Sequence, residues 1–141
     1  MARLRITLPD RFVFSTEIPV RVGDINHGGH LGHESLLVIM EEARERFLES
    51  IGYSEFIADG VGFIMADIGV MYLRQGHYGQ ILKVEMAVTD FTTRGFDIVY
   101  RITDAAAGLE LARAKTGHLF YNYQLQKTIP VPQDFRERFP D

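Results

Sequence analysis

One stretch limits what this chain can fold into more than any other. From about His33 to Ile51 runs a single long helical pattern, in a sequence whose other regular stretches alternate. Leu36, Leu37, Met40, Ala43, Phe47, Leu48 and Ile51 fall close to i, i+4, i+7 and i+11, and Glu41, Glu45, Arg46 and Glu49 lie largely elsewhere on the wheel. Gly52 is a natural residue to end the helix in the left-handed region. The remaining pattern is that of strands. Phe12, Phe14, Ile18, Val20 and Val22 share one parity against Arg11, Glu17 and Arg21, with Pro19 marking an edge position or a bulge. Phe63 to Leu73 is apolar on both parities except at Asp67, the mark of a central strand or of one covered by a helix on one side and a partner on the other. Ile81–Thr89, Phe96–Ile102 and Glu110–Gln124 alternate, the last placing Ala112, Ala114, Thr116, His118 and Phe120 on one face. Asp104–Gly108 reads as a hairpin connection, and Gln133–Phe139 as one or two turns of helix. A twisted antiparallel sheet can bury a lone helix only by wrapping around it. The expectation is an α+β fold: a curved antiparallel sheet of about five strands around one long central helix, in a single domain spanning residues 1–141.

Directly before the helix comes a loop crowded with polar side chains: Asp24, Asn26, His27, His30, His33 and Glu34, interleaved with Gly28, Gly29 and Gly32. A loop that delivers such groups to the start of a buried helix suits a site that handles negative charge. Composition narrows the chemistry. The chain has no cysteine, which excludes disulfides, thiolate metal sites and a cysteine nucleophile. Its net charge of −4 gives no basic footprint for nucleic acid. No apolar run suits a signal peptide or a membrane span, so a cytoplasmic protein without membrane contact is expected.

The order of Val20-Arg-Val-Gly-Asp24, Gly29-His30-Leu31, Glu41-Glu42-Ala43-Arg44, Tyr78-Gly79 and Pro130-Val-Pro132 resembles the hotdog-fold thioesterases, in their 4-hydroxybenzoyl-CoA thioesterase-like and acyl-CoA thioesterase branch. The resemblance runs from Phe12 to Pro132. It implies hydrolysis of an acyl thioester of coenzyme A or acyl carrier protein to a free acid and a thiol. It also implies a homodimer or homotetramer with sites between protomers, and no cofactor beyond the coenzyme A carried by the substrate. Many members carry Asp-x-Asp in this loop, the second aspartate acting as base or nucleophile; here the two positions hold Asp24 and Asn26. An asparagine can orient water or bind a carbonyl but takes no proton at neutral pH. The departure leaves a second reading, a domain that binds acyl-CoA or an acyl carrier without cleaving it.

The candidate catalytic residues are therefore Asp24, Asn26 and His33, and the candidate substrate-binding residues His30, Gly32, Glu34 and Asp67. Asp24 is a possible base, or else a loop residue paired with Arg21 or Arg44. Asn26 orients water or substrate, or closes an Asx-turn. His33 matches a histidine found in one group of the family; near a helix N-terminus its charged form is disfavoured, leaving a neutral imidazole as base or donor. The family's oxyanion donor, a backbone N–H at the helix start, falls near His33 or Glu34. Glu34 supplies the missing carboxylate or simply favours the helix dipole. Asp67 needs a partner if buried, or reaches a site across a dimer interface. His27, His30 and His33 recur every third residue, yet no carboxylate clearly completes a ligand set, and no metal is expected. Phe63, Met65 and Met71, with Phe47 and Phe56, line an acyl pocket or pack the core. Arg74, Arg94, Arg113 and Lys115 are candidates for coenzyme A phosphates.

Overall fold

The computed structural model describes residues 2–53 and 60–140. After β1 (Phe14–Pro19) and a single 3₁₀ turn (Val22–Asp24) comes the long helix α1 (His33–Ser50). Then follow β2 (Val61–Tyr72), β3 (Ile81–Thr89), β4 (Gly95–Asp104), β5 (Glu110–Asn122), the two-residue β6 (Lys127–Thr128) and the short α2 (Gln133–Glu137). The strands form one antiparallel sheet in the order β1-β3-β4-β5-β2, with β6 paired to β5. This is the hotdog arrangement, with six strands in place of about five. The additional strand is two residues long, too short to carry a periodicity.

Helix α1 buries Leu36, Ile39, Met40, Ala43 and Phe47 in one apolar cluster with Leu82, Val84 and Met86 of β3, Ile98, Tyr100 and Ile102 of β4, and Ala112 and Ala114 of β5. Leu37, assigned to the apolar stripe from sequence, lies at its exposed edge, and Ile39 takes the inner place. The helix ends as expected. Gly52 has φ +84, and paired bonds from Tyr53 N to Leu48 O (2.8 Å) and Gly52 N to Glu49 O (3.1 Å) close the last turn.

One expectation about the strands is corrected, and an open alternative is narrowed. The first strand stops at Pro19, and Val22, read as inward, is 75% exposed. Past Pro19 the chain still gives Val20 N to Gln80 O (2.9 Å), and it then turns back on itself at Asp24. The alternative concerns β2, for which a central place in the sheet is excluded. It lies at the edge of the sheet, paired among the described residues only with β5, and Ala66 is an extra residue at a bulge between Met65 and Asp67. Its apolar residues on both parities do not reflect burial within this chain: Val61, Met65, Ile68 and Tyr72 are exposed. Periodicity reports that a strand is apolar, and leaves open which molecule covers it.

At the far end of α1, Phe135 of α2 is fully buried and touches the rings of Tyr53, Phe63, Phe96 and Phe120 at centroid distances of 5.1, 5.8, 4.8 and 5.1 Å. Tyr53 also donates to Asp134 Oδ2 (2.7 Å), fastening α2 to the end of α1. Phe63 and Phe47, candidates for an acyl pocket, belong to this aromatic packing, and Phe56 lies outside the described residues.

A buried polar chain crosses the core. Arg44 donates to the Tyr100 hydroxyl (3.2 Å), which bonds Thr116 Oγ1 (2.7 Å), which in turn bonds His118 Nε2 (2.8 Å). Burial, reinforced by the Arg44 charge, pushes the His118 imidazole down to about 3, although Asp67 pulls the other way. Each polar side-chain atom buried among the described residues has a partner, as a core of this density requires.

Candidate active site

The loop before α1 is built around Asp24. Its carboxylate is buried, 5% exposed; Oδ2 accepts from the Arg21 backbone N–H (2.8 Å) and Nε (3.3 Å), and Oδ1 accepts from Arg21 NH2 (3.2 Å). Burial alone would push this carboxyl up, but the hydrogen bonds and charge of Arg21 outweigh it and hold the group below the usual carboxylate range. The Asp24 backbone carbonyl accepts from Gly32 N (3.0 Å), which brings the two ends of the loop together.

Between them the chain makes a tight reversal. Asn26 N donates to His30 O (2.9 Å), and Gly29, at φ +82, sits in the left-handed region that closes the turn onto Asn26 O (3.1 Å). Asn26 Oδ1 accepts from the backbone N–H groups of Gly28 (3.0 Å) and His30 (3.4 Å), so the Asx-turn is formed. The amide nitrogen of Asn26 takes no part in these bonds. Leu31 N donates to Gly76 O (2.8 Å), fastening the loop to the β2–β3 connection. That approach needs glycine, since a Cβ on Gly76 would come within 3.0 Å of the Leu31 side chain.

Helix α1 starts at Gly32 with no side-chain cap, and the N–H groups of His33 and Glu34 have no hydrogen-bond partner among the described residues, at the positive end of the dipole. They border a cavity of about 330 Å³. Asn26, His30, Gly32 and His33 form one side; Tyr72, Leu73, Arg74 and Gly76 form the other; Leu31, Leu36 and Leu111 supply apolar wall. The Tyr72 hydroxyl donates to His33 O (3.1 Å) across the opening. Burial and the nearby Glu34 charge raise the Tyr72 pKa, keeping the phenol a donor. His33 is exposed at the rim, with Nδ1 3.3 Å from Glu34 Oε2.

The candidates thus divide. Asn26, His30, Gly32 and His33 line one cavity, Glu34 stands beside His33, and Asp24 lies beneath the loop with both oxygens on Arg21. Asp67 is elsewhere. Its side chain is 63% exposed and bonds Lys115 Nζ (2.9 Å), a residue set between the inward-facing Ala114 and Thr116 and so on the sheet face away from α1. A burial cost at Asp67 therefore does not arise. His27 points to solvent, and the described residues contain no group of three His, Asp or Glu side chains placed to hold a metal ion. Sequence reasoning missed Tyr72, Gly76 and Leu111; the glycine inside Arg74–Gly79 was the one available signal, and nothing in the sequence tied it to Leu31.

A sequence profile described as the thioesterase-like superfamily matches residues 20–139, nearly all of the chain including every element of this cavity. The chain belongs to that superfamily. Among its relatives in the thioesterase-like superfamily, the putative acyl-CoA thioesterase YneP of Bacillus subtilis is 31% identical over 133 residues, covering 92% of this chain and 91% of the relative. A 1,4-dihydroxy-2-naphthoyl-CoA hydrolase of Synechocystis is 25% identical over 131 residues, covering 91% of this chain and 95% of that one. The crystal structure of Slr0204, a 1,4-dihydroxy-2-naphthoyl-CoA thioesterase from Synechocystis, superposes with a TM-score of 0.80 at 25% identity, over 87% of this chain and 92% of that chain.

Proposed function

We propose that this superfamily member is a thioester hydrolase acting on an acyl group carried by coenzyme A or an acyl carrier protein. One observation carries the assignment of the site: the uncapped start of α1 opens into a cavity that also holds His33 and Asn26. The names of the relatives support the reaction class. In this reading the thioester carbonyl oxygen points at the free N–H groups of His33 and Glu34. There the helix dipole stabilises the developing oxyanion, a contribution typically worth about 10²–10³ in rate. His33 Nε2 takes a proton from water as its oxygen attacks the carbonyl carbon, and Glu34 steadies the imidazole through Nδ1. Collapse of the tetrahedral intermediate breaks the C–S bond, and the imidazolium returns the proton to the departing thiolate. The products are acid and thiol. Asn26 presents its amide nitrogen to water or carbonyl, its oxygen being held by the loop. Asp24 serves the reaction as the fastening of that loop, since both its oxygens are bonded to Arg21.

A homodimer, or a homotetramer of two such pairs, belongs to the same proposal. Strand β2 is twelve residues long, carries neither proline nor lysine, and shows exposed Met65, Ile68 and Tyr72 along an edge with no strand beyond it among the described residues. Such an edge favours pairing with another strand, and a second copy supplies one. A cytoplasmic location fits a chain without cysteine. No helix among the described residues is long and apolar enough to cross a membrane.

The competing reading, binding without cleavage, draws on one feature: no carboxylate lines the cavity. Thiol release from a panel of short, long and aromatic acyl-CoAs separates the two. Turnover well above the uncatalysed rate on at least one member is the expected result. Tight acyl-CoA binding with no turnover across the panel would make this a binding domain.

A further inference from the structure

The cavity at the start of α1 shares part of its wall with a neighbour. Tyr72 and Leu73, which bound it, also bound a second depression of about 410 Å³, lined by Arg3, Leu4, Arg5, Val70 and Met71. The segment carrying the two arginines is seated on β2. Leu4 fills the space over Gly69, where a Cβ would come within 2.9 Å of it, and Ile6 N contacts Met71 Sδ at 3.1 Å.

Most arginines outside this trough are engaged by an acid or a carbonyl, although Arg11, Lys83 and Lys127 have no such partner among the described residues. Arg21, Arg46, Arg101, Arg113 and Lys115 are neutralised by Asp24, Glu42, Glu85, Glu110 and Asp67. Arg94 donates to the Thr128 carbonyl. Arg3 and Arg5 are exposed and pair with no carboxylate among the described residues. Arg74, in the first cavity, gives one N–H to the Glu110 backbone carbonyl (2.9 Å) and meets no acid there. Three guanidinium groups without carboxylate partners thus flank one apolar saddle, on a protein of net charge −4. Leaving them unneutralised is what a site for a multiply charged anion requires, and the guanidinium fork suits phosphate oxygens in pairs.

We infer that Arg3, Arg5 and Arg74 form a phosphate subsite for the nucleotide end of coenzyme A, with the pantetheine arm lying over Tyr72 and Leu73 between it and the thioester. The inference rests on the proposed hydrolase reading and deepens it: the trough selects a nucleotide-bearing thioester over one without phosphates. Of the four cations considered from sequence, the geometry keeps Arg74 and replaces the others with Arg3 and Arg5.

The test compares one acyl group on coenzyme A and on pantetheine, which lacks every phosphate, in wild type, R3A/R5A and R74A. The ratio of kcat/KM for acyl-CoA to that for acyl-pantetheine should fall at least tenfold in R3A/R5A and severalfold in R74A. Raising the salt concentration should lower the same ratio in wild type more than in the double variant. An unmoved ratio, including a parallel loss on both substrates, would overturn the subsite. Calorimetric titration with free coenzyme A gives a readout independent of turnover, with at least tenfold weaker binding expected in R3A/R5A. Were wild type to cleave neither thioester, the hydrolase reading would fall and this titration would decide the subsite: equal affinity in wild type and variant would end it.

Discussion

The residues that set the chemistry and those that set the stability of this protein stand close together and obey opposite rules. At the cavity, the His33 ring is exposed and has one contact, to Glu34. Inside, His118 is locked among Thr116, Tyr100 and Arg44 and kept neutral down to about pH 3. The interior histidine has a consequence for stability. An unfolded chain protonates this imidazole near 6.5, whereas the folded chain refuses the proton until about 3. Between these values the unfolded state binds more protons, so the stabilisation present above about pH 6.5 is lost as pH falls, by up to about 1.4 kcal/mol per unit. H118Q keeps a hydrogen-bonding side chain and removes the titration. Between pH 6.5 and 5, wild type should lose about 2 kcal/mol more than H118Q in denaturant titrations; parallel losses would contradict the assignment. The residue scale is also where the sequence was most legible for the loop and least for its partners. Asn26, His30, Gly32 and His33 are within eight positions of one another, so a pattern could reveal them. Tyr72, Gly76 and Leu111 arrive from across the sheet, through contacts such as Leu31 N to Gly76 O that no local pattern encodes.

Among the elements, α1 and the alternating strands were readable because burial on one face leaves a period in the sequence. The Schellman-type end at Gly52 was readable for a different reason, the glycine requirement of the left-handed region. What periodicity could not supply was the neighbour of each element. Helix α2 shows why this matters. Its five residues have little stability of their own, and they hold their place through Phe135, buried against Tyr53, Phe63, Phe96 and Phe120. F135A should therefore cost about 3–5 kcal/mol, as large aromatic deletions in a filled core do. The drop in the urea midpoint measures it, and a loss below 1 kcal/mol would mean that α2 is dispensable to the core.

For the whole molecule, the placement of β2 is the decisive fact. A strand apolar on both parities suits either the centre of a sheet or a place between a helix and a partner, and β2 lies at the edge with Met65, Ile68 and Tyr72 exposed. The proposed pairing of two copies through this edge covers those residues and brings a second protomer toward the cavity walled by Tyr72. I68K places a charge in the middle of that edge, a substitution that blunts strand-to-strand association. Light scattering coupled to size exclusion should find wild type at twice or four times its chain mass and I68K shifted to one; a wild-type monomer would remove the edge from the account.

The central claim is that thioester cleavage takes place at the N-terminus of α1 with His33 as the base. It is tested most directly by steady-state thiol release from an acyl-CoA that wild type turns over, measured beside H33A. His33 is exposed and packs against no core residue, so H33A should keep the wild-type melting temperature. The account predicts a loss of at least tenfold in kcat from that folded variant. An unchanged kcat would remove His33 from the mechanism and with it the proton path described here.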